Sequence, residues 1–350
     1  MKVWYEIYPT LITKQNIFRG YKEFLKGKKT KADVVRFGED KENNLKKLQE
    51  ELKNKIYQPA GYTQFYVKDP KLRLIHKATV VDRVVHHIVS KKLEPIFEPT
   101  FIAHSYSCRK NKGTHKGVFA LQKMALKVSK NDRTTCWVVK CDIKKFFASV
   151  NHKVLLKIIS NKIKDEDFLD LIIRIIDSFC SDRTIDPTDK KGIPIGNLTS
   201  QFFSNIYLNE LDQFIKHKLK VKYYLRYADD FVLLSEDRKY LEGLLVPIAE
   251  FLKDELDLKI HPQKIIFRKF RSGIDFLGYV IFPNHILPRT KTKRRLLRKI
   301  RFKINEFKIG KISEGKMNET IQSYLGYLEH SNAHKFEDEL RNLIWFWLKE

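Results

Sequence analysis

The sequence predicts an α+β fold, with an antiparallel sheet supported by helices, and two kinds of pattern predict it. Apolar, strand-like segments lead into Asp142 and flank the pair Asp229 and Asp230. The second arrangement is typical of a β-hairpin with an Asp pair at its tip. Elsewhere apolar residues recur at helical spacing, as in Asn43 to Ile56 and Val80 to Leu93. We therefore expect the sheet to bring three carboxylates together.

The composition indicates a polyanionic partner. Among 350 residues, 68 Lys and Arg outnumber 42 Asp and Glu, which gives a formal net charge of +26. An excess of that size attracts phosphate backbones and releases their counterions. Hydrophobic residues make up 43% of the chain and aromatic residues 12%, enough for a sizeable core, so the composition excludes a disordered chain.

Several classes of protein are disfavoured by the sequence. No apolar run approaches the roughly 20 residues that a membrane helix needs. The first residues, Met1 to Glu6, do not resemble a signal peptide. The four cysteines form no CxxC pair and have no His at zinc-ligand spacing. We therefore expect a cytoplasmic protein that does not enter a membrane.

The first predicted unit covers residues 1–134. Its beginning carries charged helices, and Tyr62 to Ile75 follow as a hairpin that turns at Asp69-Pro70. Lys68, Lys71 and Arg73 are predicted to project from this hairpin.

Two further units are predicted, at residues 135–285 and 286–350. The first of them holds the strands around the Asp residues. The second begins with Arg289 to Lys303, which contains nine Lys or Arg, no acid and one apolar stripe. This pattern predicts an amphipathic helix. Its basic face either is solvated or follows the phosphates of a nucleic acid.

The Asp residues suggest a metal site. Asp142, Asp229 and Asp230, once brought together, could hold two divalent metal ions about 4 Å apart, an arrangement that serves in-line phosphoryl displacement. Magnesium suits such a site because it needs only a few carboxylates, substrate phosphate oxygens and water. Mn²⁺ could substitute for it. Asp is also common in turns, so an ordinary surface hairpin is the alternative.

A series of short motifs follows in order along the chain. They are Lys71-Leu72-Arg73, Asp82-Arg83-Val84-Val85, Tyr106-Ser107-Cys108-Arg109, Gly113-Thr114-His115, Asp142, Tyr227-Ala228-Asp229-Asp230, His261-Pro262-Gln263-Lys264 and Phe276-Leu277-Gly278-Tyr279. Together they resemble a reverse transcriptase. The resemblance implies an RNA-directed DNA polymerase with a right-hand fold: fingers at 1–134, palm at 135–285 and helical thumb at 286–350. The alternative outside enzymes is an RNA-binding scaffold with an inactive polymerase fold.

The block from Gly192 to Gln201 narrows the resemblance. Its Ile-Gly-Asn-Leu-Thr-Ser-Gln ending is similar to that of reverse transcriptases of diversity-generating retroelements, and the segment from Tyr324 to Leu328 also resembles their thumb. Such an enzyme would copy a template-repeat RNA into cDNA, with errors at template adenines, for mutagenic retrohoming. A defence-associated or group II intron-like reverse transcriptase is the alternative.

The resemblance implies roles for individual residues. The catalytic carboxylates would be Asp142, Asp229 and Asp230, and the metal set would include Ile143 as well. Lys264 would donate a proton to the leaving pyrophosphate. The residues expected around the nucleotide are Lys71, Arg73, Phe147, Ile195, Gly196 and Gln201. Those expected on nucleic acid are Arg109, Tyr227, Lys293, Arg294, Arg298 and Arg301.

Some of these roles have alternatives. Lys71 and Arg73 would hold the triphosphate, since Arg offers a fork that matches phosphate oxygens. Phe147 would be the gate that excludes a ribose 2′-OH, although strand parity places Phe146 on the face of Asp142. Gly196 would let the backbone approach nucleic acid, or would simply form a turn.

Ile195 is the predicted determinant of fidelity. In accurate relatives a Gln precedes the Gly of this block, and its amide can hydrogen-bond near the sugar of the incoming nucleotide. Ile195 cannot make that bond, which is worth roughly 1 kcal/mol. The alternative is that Ile195 only packs the palm.

The resemblance also implies partners. They are template RNA, the cDNA primer strand, dNTPs and a small basic accessory protein that forms a homo-oligomeric ring. The expected setting is the cytoplasm, with the gene encoded by a bacterium, an archaeon or a phage.

Overall fold

Helices form the first part of the chain, as their apolar spacing predicts. The structure, a computed structural model, describes residues 2–69, 71–181 and 189–350. The predicted helix from Asn43 ends at Lys53, because the chain turns into a left-handed conformation at Lys55, where φ is 57°. The first helices are α1 (Ile7–Leu11), α2 (Lys14–Phe24), α3 (Ala32–Glu39) and α4 (Lys41–Lys53).

The predicted hairpin is present. Strands β1 (Thr63–Val67) and β2 (Arg73–Lys77) pair antiparallel. Its predicted turn is described at Asp69, whereas Pro70 lies outside the described residues. The next helix, α5 (Val80–Phe97), runs beyond the predicted end at Leu93 because its last turn is also buried, and α6 (Thr114–Val128) follows.

A four-stranded antiparallel sheet lies at the centre of the predicted palm, in the order β4-β5-β3-β6. Its strands are β3 (Trp137–Asp142), β4 (Tyr223–Tyr227), β5 (Asp230–Ser235) and β6 (Ile266–Lys269). The helices between and after them are α7 (Phe146–Ser149), α8 (His152–Ser160), α9 (Glu166–Asp177), α10 (Leu198–Gln213), α11 (Arg238–Gly243) and α12 (Leu245–Asp254).

Both faces of this sheet are buried. Val139 and Cys141 point into a hydrophobic cluster that runs from Ile7 to Leu258. Val138, one residue out of phase, points into a second cluster with residues of α6. The first cluster joins helices of the fingers to the palm, so these regions share one core, and the boundary at residue 134 stays a prediction.

A smaller sheet leads into the thumb. Strands β7 (Ile274–Phe276), β8 (Tyr279–Ile281) and β9 (Ile286–Pro288) pair antiparallel in sequence order. The basic helix α13 (Thr290–Lys308) follows, with α14 (Glu314–Leu328) and α15 (His334–Lys349) packed on its apolar stripe. In the part of the chain that the structure describes, none of the helices has the length and apolar character needed to cross a membrane.

Candidate active site

Asp142 and Asp230 face each other across two neighbouring strands. Asp142 is the last residue of β3 and pairs directly with Asp230, the first residue of β5. Side chains in such opposed positions start from Cβ atoms about 5 Å apart. Asp229 precedes Asp230 in the turn between β4 and β5, and its carbonyl accepts a hydrogen bond from the Ile143 N–H at 3.3 Å. The structure therefore brings the three predicted carboxylates to one edge of the sheet.

The closeness of these carboxylates changes their protonation. Burial, together with the neighbouring charges of Asp230 and Asp142, raises the pKa of Asp229 to about 6. Burial also raises the pKa of Asp230, although the ammonium groups of Lys140 and Lys71 oppose the shift. The site concentrates negative charge that favours a cation.

Two lysines already contact this charge. Lys264 donates a hydrogen bond from Nζ to Asp142 Oδ1 at 2.7 Å, and Lys140 Nζ lies 3.8 Å from Asp230 Oδ1. Lys264 was predicted at the site, whereas Lys140 was missed. Its position two residues before Asp142, on the same face of β3, was the signal that could have found it.

The carboxylates suit a magnesium ion in their chemistry, since oxygen donors are the ligands that this metal prefers. In the described ranges, no group of three His, Cys, Asp or Glu side chains has the spacing of a formed metal site. The Lys264 ammonium forms an ion pair with Asp142 Oδ1, so a metal ion bound to that oxygen would compete with Lys264. The carboxylates therefore fit a magnesium ion in the type of their donor atoms and in their position at one end of the sheet.

A cavity of about 720 Å³ lies between the hairpin of the fingers and the palm. Its walls include Arg73, Phe147 and Ile195, three residues predicted to surround the nucleotide. Lys71, two residues before Arg73, acts electrostatically on Asp230. Arg73 therefore lines the cavity, and the charge of Lys71 acts on one of the carboxylates.

The structure distinguishes Phe147 from Phe146. Strand β3 ends at Asp142, and Lys145 adopts a left-handed conformation with φ 48°, so strand parity does not extend to either Phe. Phe146 is buried in the core beside Tyr207, with ring centroids 6.3 Å apart. Phe147 faces the cavity.

The Ile195 segment is attached to the fingers hairpin. The Ile195 carbonyl accepts a hydrogen bond from the His76 N–H at 3.0 Å. Gly196 has a φ of +122°, and a Cβ there would lie 2.9 Å from Ile75 Cγ2. Close packing against β2 and a left-handed backbone therefore require this glycine, without any appeal to nucleic acid. Gln201 is exposed on the first turn of α10 and is not part of the described cavity wall.

Arg109 has structural contacts that the sequence did not predict. Its side chain is 7% exposed and pairs with Glu98 at 2.8 Å through Nε. Its Nη1 donates to the carbonyls of Ile102 at 2.7 Å and Ser105 at 3.0 Å. These bonds hold the guanidinium against the segment from Glu98 to Ser105, and the role on nucleic acid stays a prediction. Sequence alone does not show that an Arg of a motif already binds neighbouring residues.

The basic thumb helix meets the tip of the fingers hairpin. Asp69 forms ion pairs with Arg295, at 3.7 Å, and with Lys299. The hydrogen bond from Lys299, with the charges of Arg295 and Arg298, lowers the pKa of Asp69 despite some burial. The face of α13 toward the fingers thus carries Arg295 and Lys299, which the prediction missed although their i, i+4 spacing was visible.

The other predicted nucleic-acid residues lie in different places. Arg294, Arg298 and Arg301 are exposed on α13. Lys293 is half-buried, with Nζ 4.7 Å from the ring centroid of Phe336 in α15, and the Arg301 guanidinium lies 5.8 Å from the ring centroid of Trp347 in the same helix. The Tyr227 hydroxyl is 3.1 Å from Thr114 Oγ1, at the start of α6.

Comparisons with known proteins identify the family. A family model described as reverse transcriptase (RNA-dependent DNA polymerase) matches residues 67–281. Protein YkfC of Escherichia coli (strain K12) is 27% identical over 275 residues, covering 67% of this chain and 70% of that protein. The group II intron-encoded protein LtrA of Lactococcus lactis subsp. cremoris is 28% identical over 306 residues, covering 69% of this chain and 50% of its own length.

The chain belongs to the reverse transcriptase family, whose members are RNA-directed DNA polymerases, since the family match spans more than half of it. A solved structure of apo telomerase from Candida tropicalis superposes with a TM-score of 0.50 at 12% identity, covering 68% of this chain and 58% of that chain. This likeness confirms the predicted α+β right-hand polymerase fold. The chain spans about half the length of LtrA.

Asp69 pairs with two cations of α13, the helix predicted to follow nucleic acid. We expect Asp69→Asn to tighten binding of an RNA–DNA duplex by about two- to fivefold at low salt, because the pair must otherwise be broken. Fluorescence anisotropy at several salt concentrations measures this. Asp167→Asn is the matched control, since it makes the same change in net charge at the surface pair with Lys55. Equal tightening in both variants would show that only net charge matters.

Proposed function

We propose that this chain copies RNA into DNA by nucleotidyl transfer at the carboxylates Asp142, Asp229 and Asp230. The observation that carries the proposal is the direct pairing of Asp142 with Asp230 at one edge of the sheet, beside the cavity with Arg73 and Phe147. Two magnesium ions bound to these carboxylates, with the backbone of Ile143 nearby, would neutralise charge during in-line phosphoryl displacement.

The protein's own residues would bind and orient the nucleotide. Arg73, with Lys71 next to it, would hold the triphosphate, because a guanidinium and an ammonium both donate to phosphate oxygens. Phe147 would fill the space that a ribose 2′-OH needs, since its ring faces the cavity. Lys264 would hold a proton for the leaving pyrophosphate, and its present bond to Asp142 places it within reach of the site.

The finer proposal is a reverse transcriptase of a diversity-generating retroelement. It is supported by the sequence from Gly192 to Gln201 and by the position of Ile195 in the cavity wall. An aliphatic side chain at this position offers no hydrogen bond to the sugar of a paired nucleotide, so discrimination against mispairs should weaken. The product would be adenine-mutagenised cDNA copied from a template-repeat RNA.

A group II intron-like reverse transcriptase is the second candidate. The similarity to LtrA favours it, because that protein is group II intron-encoded. The DNA around the gene discriminates between the candidates. Two near-identical repeats that differ where one has adenine would support the first candidate, and an intron RNA structure would support the second.

The proposed partners are template RNA, a DNA primer strand, dNTPs and a small basic accessory protein that forms a ring, in the cytoplasm of a bacterial, archaeal or phage-infected cell. Two basic proteins repel each other, so direct docking would require an apolar or acidic interface. Complete loss of co-purification after nuclease treatment would indicate that RNA alone bridges them.

Asp229→Asn should abolish primer extension on an RNA template and leave RNA binding nearly intact. The change removes a metal-binding charge without changing the size of the side chain. Extension assays and anisotropy measure the two properties separately. Asp254→Asn, at an exposed position of α12, is the control and should extend like the unmodified protein. Full extension by Asp229→Asn would refute the assignment of the carboxylates.

Ile195→Gln should lower the error rate severalfold, because an added amide would restrain a correctly paired nucleotide by roughly 1 kcal/mol. Sequencing cDNA made from a mixed-base RNA template measures the rate at each base. Leu72→Gln adds an amide elsewhere in the cavity wall and should leave the rate unchanged. Unchanged accuracy in Ile195→Gln, or equal errors at all four template bases before the change, would contradict this role.

A further inference from the structure

A charged pair lies buried directly behind the catalytic turn. Arg226 of β4 and Asp212 of α10 are both fully buried. The guanidinium binds both carboxylate oxygens, through Nε at 2.8 Å and Nη2 at 2.6 Å. The Tyr224 hydroxyl adds a third bond to Asp212, at 2.7 Å to Oδ1. The ion pair is therefore bidentate, and its carboxylate accepts a further hydrogen bond from Tyr224.

Stability alone does not account for such a pair. Removing two charges from water costs nearly as much as their attraction returns, and apolar replacements of similar volume are often as stable. The contacts of the third guanidinium nitrogen of Arg226 indicate a role other than stability. Its Nη1 donates to the Ala228 carbonyl at 3.1 Å, and it lies 3.4 Å from Asn205 Oδ1.

Ala228 is a residue that needs such a contact. It has a φ of 53°, in the left-handed region where the Cβ of an L-residue is crowded by the backbone. It is followed at once by Asp229, so its conformation determines where the Asp229 carboxylate points. Tyr227 and Asp230, which flank this turn, pair with each other. The buried guanidinium of Arg226 donates a hydrogen bond to the Ala228 carbonyl from the core side of the turn.

The backbone of Arg226 is fixed by hydrogen bonds on both of its polar groups. Its N–H donates to the His104 carbonyl at 3.0 Å, and its carbonyl accepts from the Tyr106 N–H at 2.9 Å. Asn205, on α10, donates to the Ser107 carbonyl at 2.9 Å. The helix, the strand and the segment from His104 to Ser107 thus form one frame around the guanidinium.

We propose that Arg226 is a positioning residue for the polymerase reaction, with Asp212 as the group that orients it. Through its bond to the Ala228 carbonyl it keeps the turn in its left-handed conformation and presents Asp229 toward Asp142. The proposal rests on the assignment of Asp229 as a catalytic carboxylate. Arg226 touches neither substrate nor metal in this role.

The test separates positioning from stability. Arg226→Met with Asp212→Leu and Tyr224→Phe replaces the buried charges and the hydroxyl that would lose its partner, so no unpaired charge is left in the core. We expect the melting temperature of this triple variant to remain close to that of the unmodified protein. We expect its kcat to fall about tenfold or more, as for the loss of a bond from a charged donor. The Mg²⁺ concentration for half-maximal rate should rise, while KM for dNTP changes less than about twofold.

Arg226→Lys provides a second route if the triple variant does not fold. It keeps a buried charge opposite Asp212 but lacks the fork that reaches Ala228. We expect a lowered kcat that is partly restored by adding Ala228→Gly, because glycine adopts the left-handed conformation without a Cβ penalty. A merely structural role predicts no such rescue.

Two results would overturn the proposal. One is a folded triple variant with unchanged kcat and unchanged Mg²⁺ dependence. The other is an Arg226→Lys variant that Ala228→Gly does not improve. The proposed function fails in a different way, through full extension by Asp229→Asn, so the two failures are distinguishable.

Discussion

The pairing of β3 with β5 is the constraint on which the candidate site depends. Asp142 meets Asp230 only in the observed register, and a slip of one residue would turn alternate side chains to the other face. Such a slip would turn Lys140 and Asp142 into the hydrophobic cluster that now contains Val139 and Cys141, and burying those charges among apolar side chains is costly. The apolar core therefore fixes the position of the carboxylates, although it makes no contact with substrate.

The second constraint is charge. Three carboxylates held together repel one another, and this repulsion adds to burial in raising the pKa of Asp229. Lys264 and Lys140 contact this cluster, and Arg226 supports the turn behind it without an unpaired charge of its own. The rest of the +26 excess lies largely on surfaces such as α13, where Asp69 joins the fingers to the thumb. Positive charge thus has two effects. It offsets the repulsion among the carboxylates, and it attracts a polyanion.

The sequence predicted the features that depend on local pattern. The strand before Asp142, the hairpin at Asp229 and the basic helix all follow from periodicity, and the structure has each of them. It could not predict features that depend on distant partners. The pairing of Arg109 with Glu98 was not visible in the motif that contains Arg109. Arg226 and Asp212, 14 residues apart, meet only because β4 packs against α10. The direction in which the Phe147 side chain points depends on where β3 ends, and the alternation of side chains along a strand does not predict that end.

In the proposed reaction the three carboxylates together bind two divalent ions. Electron paramagnetic resonance of Mn²⁺, on the protein with an RNA template, a non-extendable DNA primer and a dNTP, measures this binding. We expect two bound ions per chain with the dipolar broadening of a pair about 4 Å apart, and loss of that broadening in Asp142→Asn. An Asp142→Asn protein that binds the same coupled pair would contradict it.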